Sequence, residues 1–457
     1  MHVSPVTISR LQAALKGRVI EPDDTDYDQL RAVHYGGFDR RPAAIARVAD
    51  AEDVAAVIAY ARETGVELAV RNGGHSNAGH SVTEGGIVLD LRDLNAIDID
   101  VEGRTAWAQS GVTAGAYTLA AEAHGLATGF GDTGSVAIGG ITLGGGIGFL
   151  VRKRGMAIDH LLAAEIVTAD GQILQVDADN HPDLFWAIRG GGGNFGVVTR
   201  LRYDLHQQGP IVGGMLILPA TPEIIAGFVA EAGAAPEELS TIVNVMPAPP
   251  MPFLPEEMHG KLILLAFMAY SGDAENGDAV IAPFRALATP LFDMVQTMPY
   301  SGMFPPEEGP DQSTAVARTM FLDTVDLSVA QMIAEYLEAS DAVMRAVQLR
   351  VLGGQMARVS NDATAFAHRD SHILANVAAF YESAEERPIR EAWVDGFTDA
   401  LEQTDKGAYV GFLADEDSSR VRSAYPDATW NRLRKIKAQY DPANLFRLNQ
   451  NIPPATD

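Results

Sequence analysis

Val70-Arg71-Asn72-Gly73-Gly74-His75-Ser76 places one histidine at the tip of a glycine-turned loop, directly after the apolar run Val66-Glu67-Leu68-Ala69-Val70. That run has the length of a single strand and stops where the glycines begin. Glycine reaches positive φ freely and carries no Cβ, so Gly73 and Gly74 let the backbone lie against a flat or phosphorylated ligand. Successive backbone N–H groups in such a turn form an anion-binding concavity. A histidine held there has three available roles, as ligand, acid–base group or covalent tether.

The sequence on either side mixes helices and strands. Asp50 to Thr64 predicts an amphipathic helix, with Val54, Val57, Ile58 and Ala61 on one face, Asp50 as N-cap and Gly65 at its end. Strands are expected at about 66–71 and 86–91, and a helix from Thr113 to His124 closed by Gly125. Between Gly129 and Gly148 nine residues in twenty are glycine. A hairpin follows, 164–168 and 172–176 joined through Asp170-Gly171. A second run, Gly190 to Gly193, precedes the alternating strand Val197 to Tyr203. Past Gln207-Gln208-Gly209-Pro210 glycine clusters thin out, and helix-like stretches appear near 328–348 and 387–403. A domain boundary is placed near 208. The chain closes on a basic helix-like stretch and Tyr440-Asp441-Pro442-Ala443-Asn444-Leu445-Phe446.

Composition removes whole classes of function. The 457 residues carry a net charge of −26, a field that repels nucleic acid and anionic membrane surfaces. Cysteine is absent, which excludes disulfides, thiolate metal sites, iron–sulfur clusters and cysteine nucleophiles. No secretory leader is read at Met1-His2-Val3-Ser4-Pro5-Val6, and no apolar stretch reaches the roughly 18 residues that span a bilayer. A soluble, cytoplasmic protein is expected.

Three motifs fail on context. Gly191 to Gly196 fits G-x-G-x-x-G, yet a helix-like segment precedes it and a strand follows, the reverse of a dinucleotide fingerprint. Gly74-His75-Ser76-Asn77-Ala78 lacks the second glycine of a nucleophile elbow, which leaves a serine hydrolase as a remote alternative. His75 and His80 sit five apart in a loop, outside zinc spacing, so no metal site is expected.

Four segments together resemble one family. Arg71 to Ser76 is similar to the R-x-G-G-H-S loop of FAD-linked oxidases of the vanillyl-alcohol oxidase class, berberine-bridge-enzyme-like branch. Gly139 to Gly148, Leu184 to Gly196, and Tyr440-Asp441-Pro442 with Asn449-Gln450-Asn451-Ile452 resemble its later motifs, in the same order. The resemblance implies an α+β fold. Residues 1–208 would form a PCMH-type FAD-binding domain (about 38–208), and 209–409 a substrate domain with an antiparallel sheet flanked by helices. Residues 410–457 would return to the FAD domain.

It also implies FAD bonded covalently through His75. Further FAD contacts would fall on Arg71, Asn72, Gly73, Gly74, Ser76, His80 and Gly111, and on Asp132, Thr133, Gly134, Ser135 and Val136. Gly139, Gly140, Leu143, Gly144, Gly146 and Gly148 would follow, then Ile166, Val167, Asn449 and Asn451. Thr133 stands where many relatives carry a second, cysteinyl tether, so one covalent link is expected. Val136 resembles the oxygen-reactive members, and the histidine that plant members often have at the Ile141 position is absent.

The implied reaction is hydride transfer from a CH–OH or CH–NH carbon of a small molecule to flavin N5, with O₂ reduced to H₂O₂. A dehydrogenase with another acceptor and a non-enzymatic flavin-binding protein are the alternatives. Tyr409 and Asn449 are the catalytic candidates, since such a reaction needs a proton acceptor beside the oxidised carbon. Trp430 replaces a tyrosine of some relatives. For Arg358, His368 and Arg369 exposed structural roles are expected, with shaping of the substrate pocket as the alternative. Whether the chain is a monomer or a homodimer is left open.

Overall fold

The computed structural model describes residues 5–305, 309, 313–414 and 418–456; the segment Met1 to Ser4, part of the leader reading, lies outside them. The fold is α+β. Helix Ala51–Thr64 forms because its ends are fixed locally. Asp50 accepts the Asp53 N–H at 3.0 Å, and Gly65, at φ 68°, returns its N–H to the Ala61 carbonyl. Its Val54, Val57 and Ile58 are fully buried against a four-stranded sheet. In that sheet Arg18–Ile20 pairs antiparallel with Ala44–Arg47, and Ile87–Asp90 lies parallel between Ala44–Arg47 and Leu68–Arg71.

A second sheet orders Ile97–Asp100, Thr105–Gln109, Val197–Asp204, Leu161–Val167 and Ile173–Asp177, all antiparallel. The expected hairpin is its Leu161–Val167 and Ile173–Asp177 edge. The first strand of the third and largest sheet begins at Ile211. Its seven-strand path runs Phe292–Asp293, Ile211–Pro219, Leu262–Tyr270, Leu239–Pro247, Arg345–Val351, Ile373–Tyr381 and Thr314–Leu322, with Gln296–Met298 as an eighth strand beside Ile211–Pro219.

Helices Pro222–Ala234, Leu327–Ala339 and Arg387–Leu401 cover one face of this sheet through Phe228, Ile333, Leu337 and Phe397. Period-two alternation sends Val347, Leu349 and Val351 into that apolar layer and turns Gln348 and Arg350 to the other face. The helix-like reading of 328–348 is corrected here: the helix ends at Ala339 and Arg345–Val351 is a strand. Among the described residues no helix is long and apolar enough to cross a membrane.

Candidate active site

A cavity of about 590 Å³ lies where the glycine-rich segments face the large sheet. The loop Asn72 to Asn77 with His80 forms one wall, and Asp132, Thr133, Val136, Gly140, Leu143 and Gly144 form the next. Ala317, Gln348, Arg350, Asn376, Ala378 and Phe380, all from the sheet face opposite the helices, make the third. Tyr409 to Ala414, together with Phe446 and Leu448 to Gln450, close the fourth.

The His75 loop is held from below by Arg71, which is 1% exposed and does not line the cavity. Its guanidinium donates to the Ser81 carbonyl at 3.0 Å, to Arg31 at 2.9 Å and to Leu30. Burial lowers its pKa to about 10. Gly74, at φ 82°, makes the turn, and its carbonyl accepts the His34 N–H at 3.1 Å. The His75 ring then stacks on His34 (centroids 3.9 Å apart, planes at 26°), and its Nε2 lies 3.1 Å from Ser135 Oγ. Both the plane and the rotation of the imidazole are therefore set.

The second wall contains a short helix, Ile138–Gly144, inside what reads as a glycine belt. Gly139 is needed there. A Cβ on it would sit 2.7 Å from both Asn72 Oδ1 and Ser110 Cβ. Gly139→Ala is expected to push these loops apart at about 1–3 kcal/mol, read as a loss of stability in denaturant unfolding.

Tyr409 is 3% exposed, and its hydroxyl oxygen accepts the Gly146 N–H at 3.0 Å. Burial raises its phenol above the ordinary value, against the Gly146 and Ile147 amides and the Arg350 guanidinium, which favour the anion. Arg350 joins the sheet to the loop that carries Asp132. It donates to Asp132 Oδ2 at 2.6 Å, to Gln348 Oε1 at 2.7 and 2.9 Å, and to the Ile147 carbonyl at 3.1 Å, and it lies 4.8 Å from the Phe412 ring centre. Asp132 thus lines the cavity with its carboxylate committed to Arg350.

Asn449 donates to the Phe446 carbonyl at 3.1 Å, while its Oδ1 is buried without a partner, as is Oδ1 of Asn72. Buried amide oxygens left unpaired are costly in a folded chain and mark places where a ligand supplies the donor. With the glycine-lined wall and the fixed imidazole, these residues fit a large planar cofactor that carries N–H groups.

Other expected contacts stand apart from the lining. Gly111, Gly134, Ser135, Gly139, Gly146, Gly148 and Asn451 are not among the lining residues, although Ser135, Gly139 and Gly146 each touch one that is. Ile166 and Val167 are fully buried core residues of the five-stranded sheet. None of Arg358, His368 and Arg369 lines the cavity, and of the expected exposed roles only that of Arg358 holds, His368 being half-buried and Arg369 buried. Arg358 pairs with exposed Glu237, His368 Nε2 lies 3.0 Å from the Ala424 carbonyl, and Arg369 is fully buried against Asp159. The sheet contributes Gln348, Arg350 and Asn376 instead, and the early segment contributes Tyr35 and Phe38. The alternation Val347-Gln348-Leu349-Arg350-Val351 carried a signal for two of these.

Known proteins share this arrangement. Residues 42–177 match the family described as FAD binding domain, and residues 408–453 match the berberine and berberine-like family. (R)-6-hydroxynicotine oxidase of Paenarthrobacter nicotinovorans is 30% identical over 469 residues, covering 96% of this chain and 97% of the relative. Xylooligosaccharide oxidase of Thermothelomyces thermophilus is 30% identical over 450 residues, covering 91% and 88%. The crystal structure of 6-hydroxy-D-nicotine oxidase from Arthrobacter nicotinovorans has a TM-score of 0.85 at 28% identity, over 96% of this chain and 98% of that one. The chain therefore belongs to the berberine-bridge-enzyme-like family of FAD-dependent oxidoreductases.

Proposed function

We propose that the chain is an oxidase that holds FAD by a single covalent bond to His75 and oxidises a CH–OH or CH–NH group of a small organic molecule, with O₂ as final acceptor. The observation that carries this reading is the fixed imidazole at the cavity wall, stacked on His34 and held at Nε2 by Ser135. Bound FAD supplies the two-electron acceptor for the substrate carbon. Thr133 lines the cavity where a second tether would stand, and a hydroxyl cannot form a thioether. Val136 lines the same wall and supports oxygen as acceptor through its resemblance to oxygen-reactive relatives. Tyr409 is the proton acceptor in this reading, because its hydroxyl oxygen faces backbone N–H groups and Arg350 that stabilise negative charge. Asn449 orients the cofactor rather than moving a proton, since an amide does not titrate.

Acid precipitation tests the tether. Yellow colour should stay in the pellet of the wild-type protein and pass to the supernatant from His75→Ala, which still folds. Colour leaving with the wild-type supernatant would refute the covalent bond. Peroxide formed one for one with donor oxidised tests the acceptor; rapid dye reduction without peroxide makes the protein a dehydrogenase.

A further inference from the structure

His160, Asp204 and His206 converge on a point outside the flavin cavity, none of them among its lining residues. The sheet brings them together. Asp204 ends the strand Val197–Asp204, and His206 begins the short strand His206–Gln207, so two-residue spacing in extended chain turns both side chains the same way. His160 follows the turn Ala157–Asp159 on the neighbouring strand's approach, and its carbonyl accepts the Asp204 N–H at 2.9 Å.

His206 Nε2 lies 2.9 Å from His160 Nδ1 and 3.7 Å from Asp204 Oδ2, and one ligand atom from each residue falls within 4.8 Å of the others. Four-coordinate zinc, with bonds of about 2.0–2.2 Å, sets its ligands roughly 3.3–3.5 Å apart. The two shorter separations bracket that value, so both imidazoles meet an ion with shifts of a few tenths of an ångström, and the half-exposed Asp204 carboxylate swings to complete three ligands.

We propose that His160, Asp204 and His206 form a structural site for a zinc-type divalent cation, with water from the open side as fourth ligand. Two imidazoles and one carboxylate are the donor set that zinc, nickel and copper accept. Arg154 stands beside the site, its guanidinium donating to the Gln207 carbonyl at 3.1 Å, and its charge opposes the ion. The site is therefore of moderate affinity. An ion there ties the strand end to the turn that carries Asp159, whose carboxylate takes two Arg369 N–H groups at 2.8 Å each. The role is a staple, away from the chemistry.

The test uses EDTA-treated holoprotein titrated with ZnCl₂, followed by calorimetry and thermal unfolding. The expected result is one zinc per chain with micromolar affinity, a Tm that climbs by a few degrees with zinc concentration, and an unchanged flavin spectrum. His206→Asn keeps a hydrogen-bonding partner for His160 and should lose both signals; Asp204→Asn, altering a half-exposed side chain, should weaken binding at least tenfold and decides the matter if the first variant fails to fold. No heat and no Tm shift at millimolar zinc overturns the site. Binding that persists unchanged in the variants overturns it too, and assigns the ion to other histidines.

Discussion

Tyr409→Phe is expected to lower kcat by about 10²–10⁴ while leaving flavin content and absorbance near wild type. The phenol is buried, its oxygen meets the Gly146 N–H at 3.0 Å, and the Arg350 charge favours its anion. Phenylalanine keeps the ring contacts with Phe366 and Phe412 and deletes only the oxygen. The Gly146 amide loses its acceptor, a cost of about 1 kcal/mol in stability, far too small to explain a large fall in turnover. Because burial raises the phenol, wild-type kcat should climb with pH through the alkaline range, as the fraction of phenolate grows. The slope should vanish in Tyr409→Phe. A loss of less than about tenfold, or an unchanged slope, would move the proton acceptor elsewhere.

Lys437→Met should destabilise the protein by about 3–5 kcal/mol, measured by denaturant unfolding of the flavin-loaded chain. Lys437 and Asp441 are both fully buried, 2.7 Å apart, one helical turn from each other. The ammonium also donates to the carbonyls of Asn194 (2.7 Å) and Phe446 (2.9 Å), which uses all three of its protons. Asp441 in turn accepts the N–H groups of Leu445 and Phe446. Methionine fills the space and leaves a buried carboxylate without its cation. Lys435→Met on the exposed side of the same helix should change stability by less than about 1 kcal/mol. Equal losses in the two variants would show that the charge pair contributes nothing specific.

What the sequence made legible was local. The Asp50 cap, the Gly65 stop, the hairpin at Asp170-Gly171 and the glycine turn before His75 each follow from a few adjacent residues. Distant partners were not legible. Nothing near residue 75 announces Ser135 or His34, and nothing near Asp132 announces Arg350. The strand Arg345–Val351 was hidden because no glycine or proline separates it from helix Leu327–Ala339, so one helical reading ran through both. In the glycine-rich stretch the error ran the other way. Three glycines argue against Ile138–Gly144 as a helix, and packing of Ile138, Thr142 and Leu143 overrides that propensity.

The Asn77 side chain donates to the Phe412 carbonyl across a separation of 335 residues, and Asn449 closes the same cavity. Walls drawn from both flanks of an intervening sheet cannot assemble until that sheet has formed and the later segment has docked. Non-local contacts over so long a stretch carry a loop-closure cost that slows their formation. Flavin content is therefore expected to report completed folding: a chain that retains the cofactor is one whose distant segments have met.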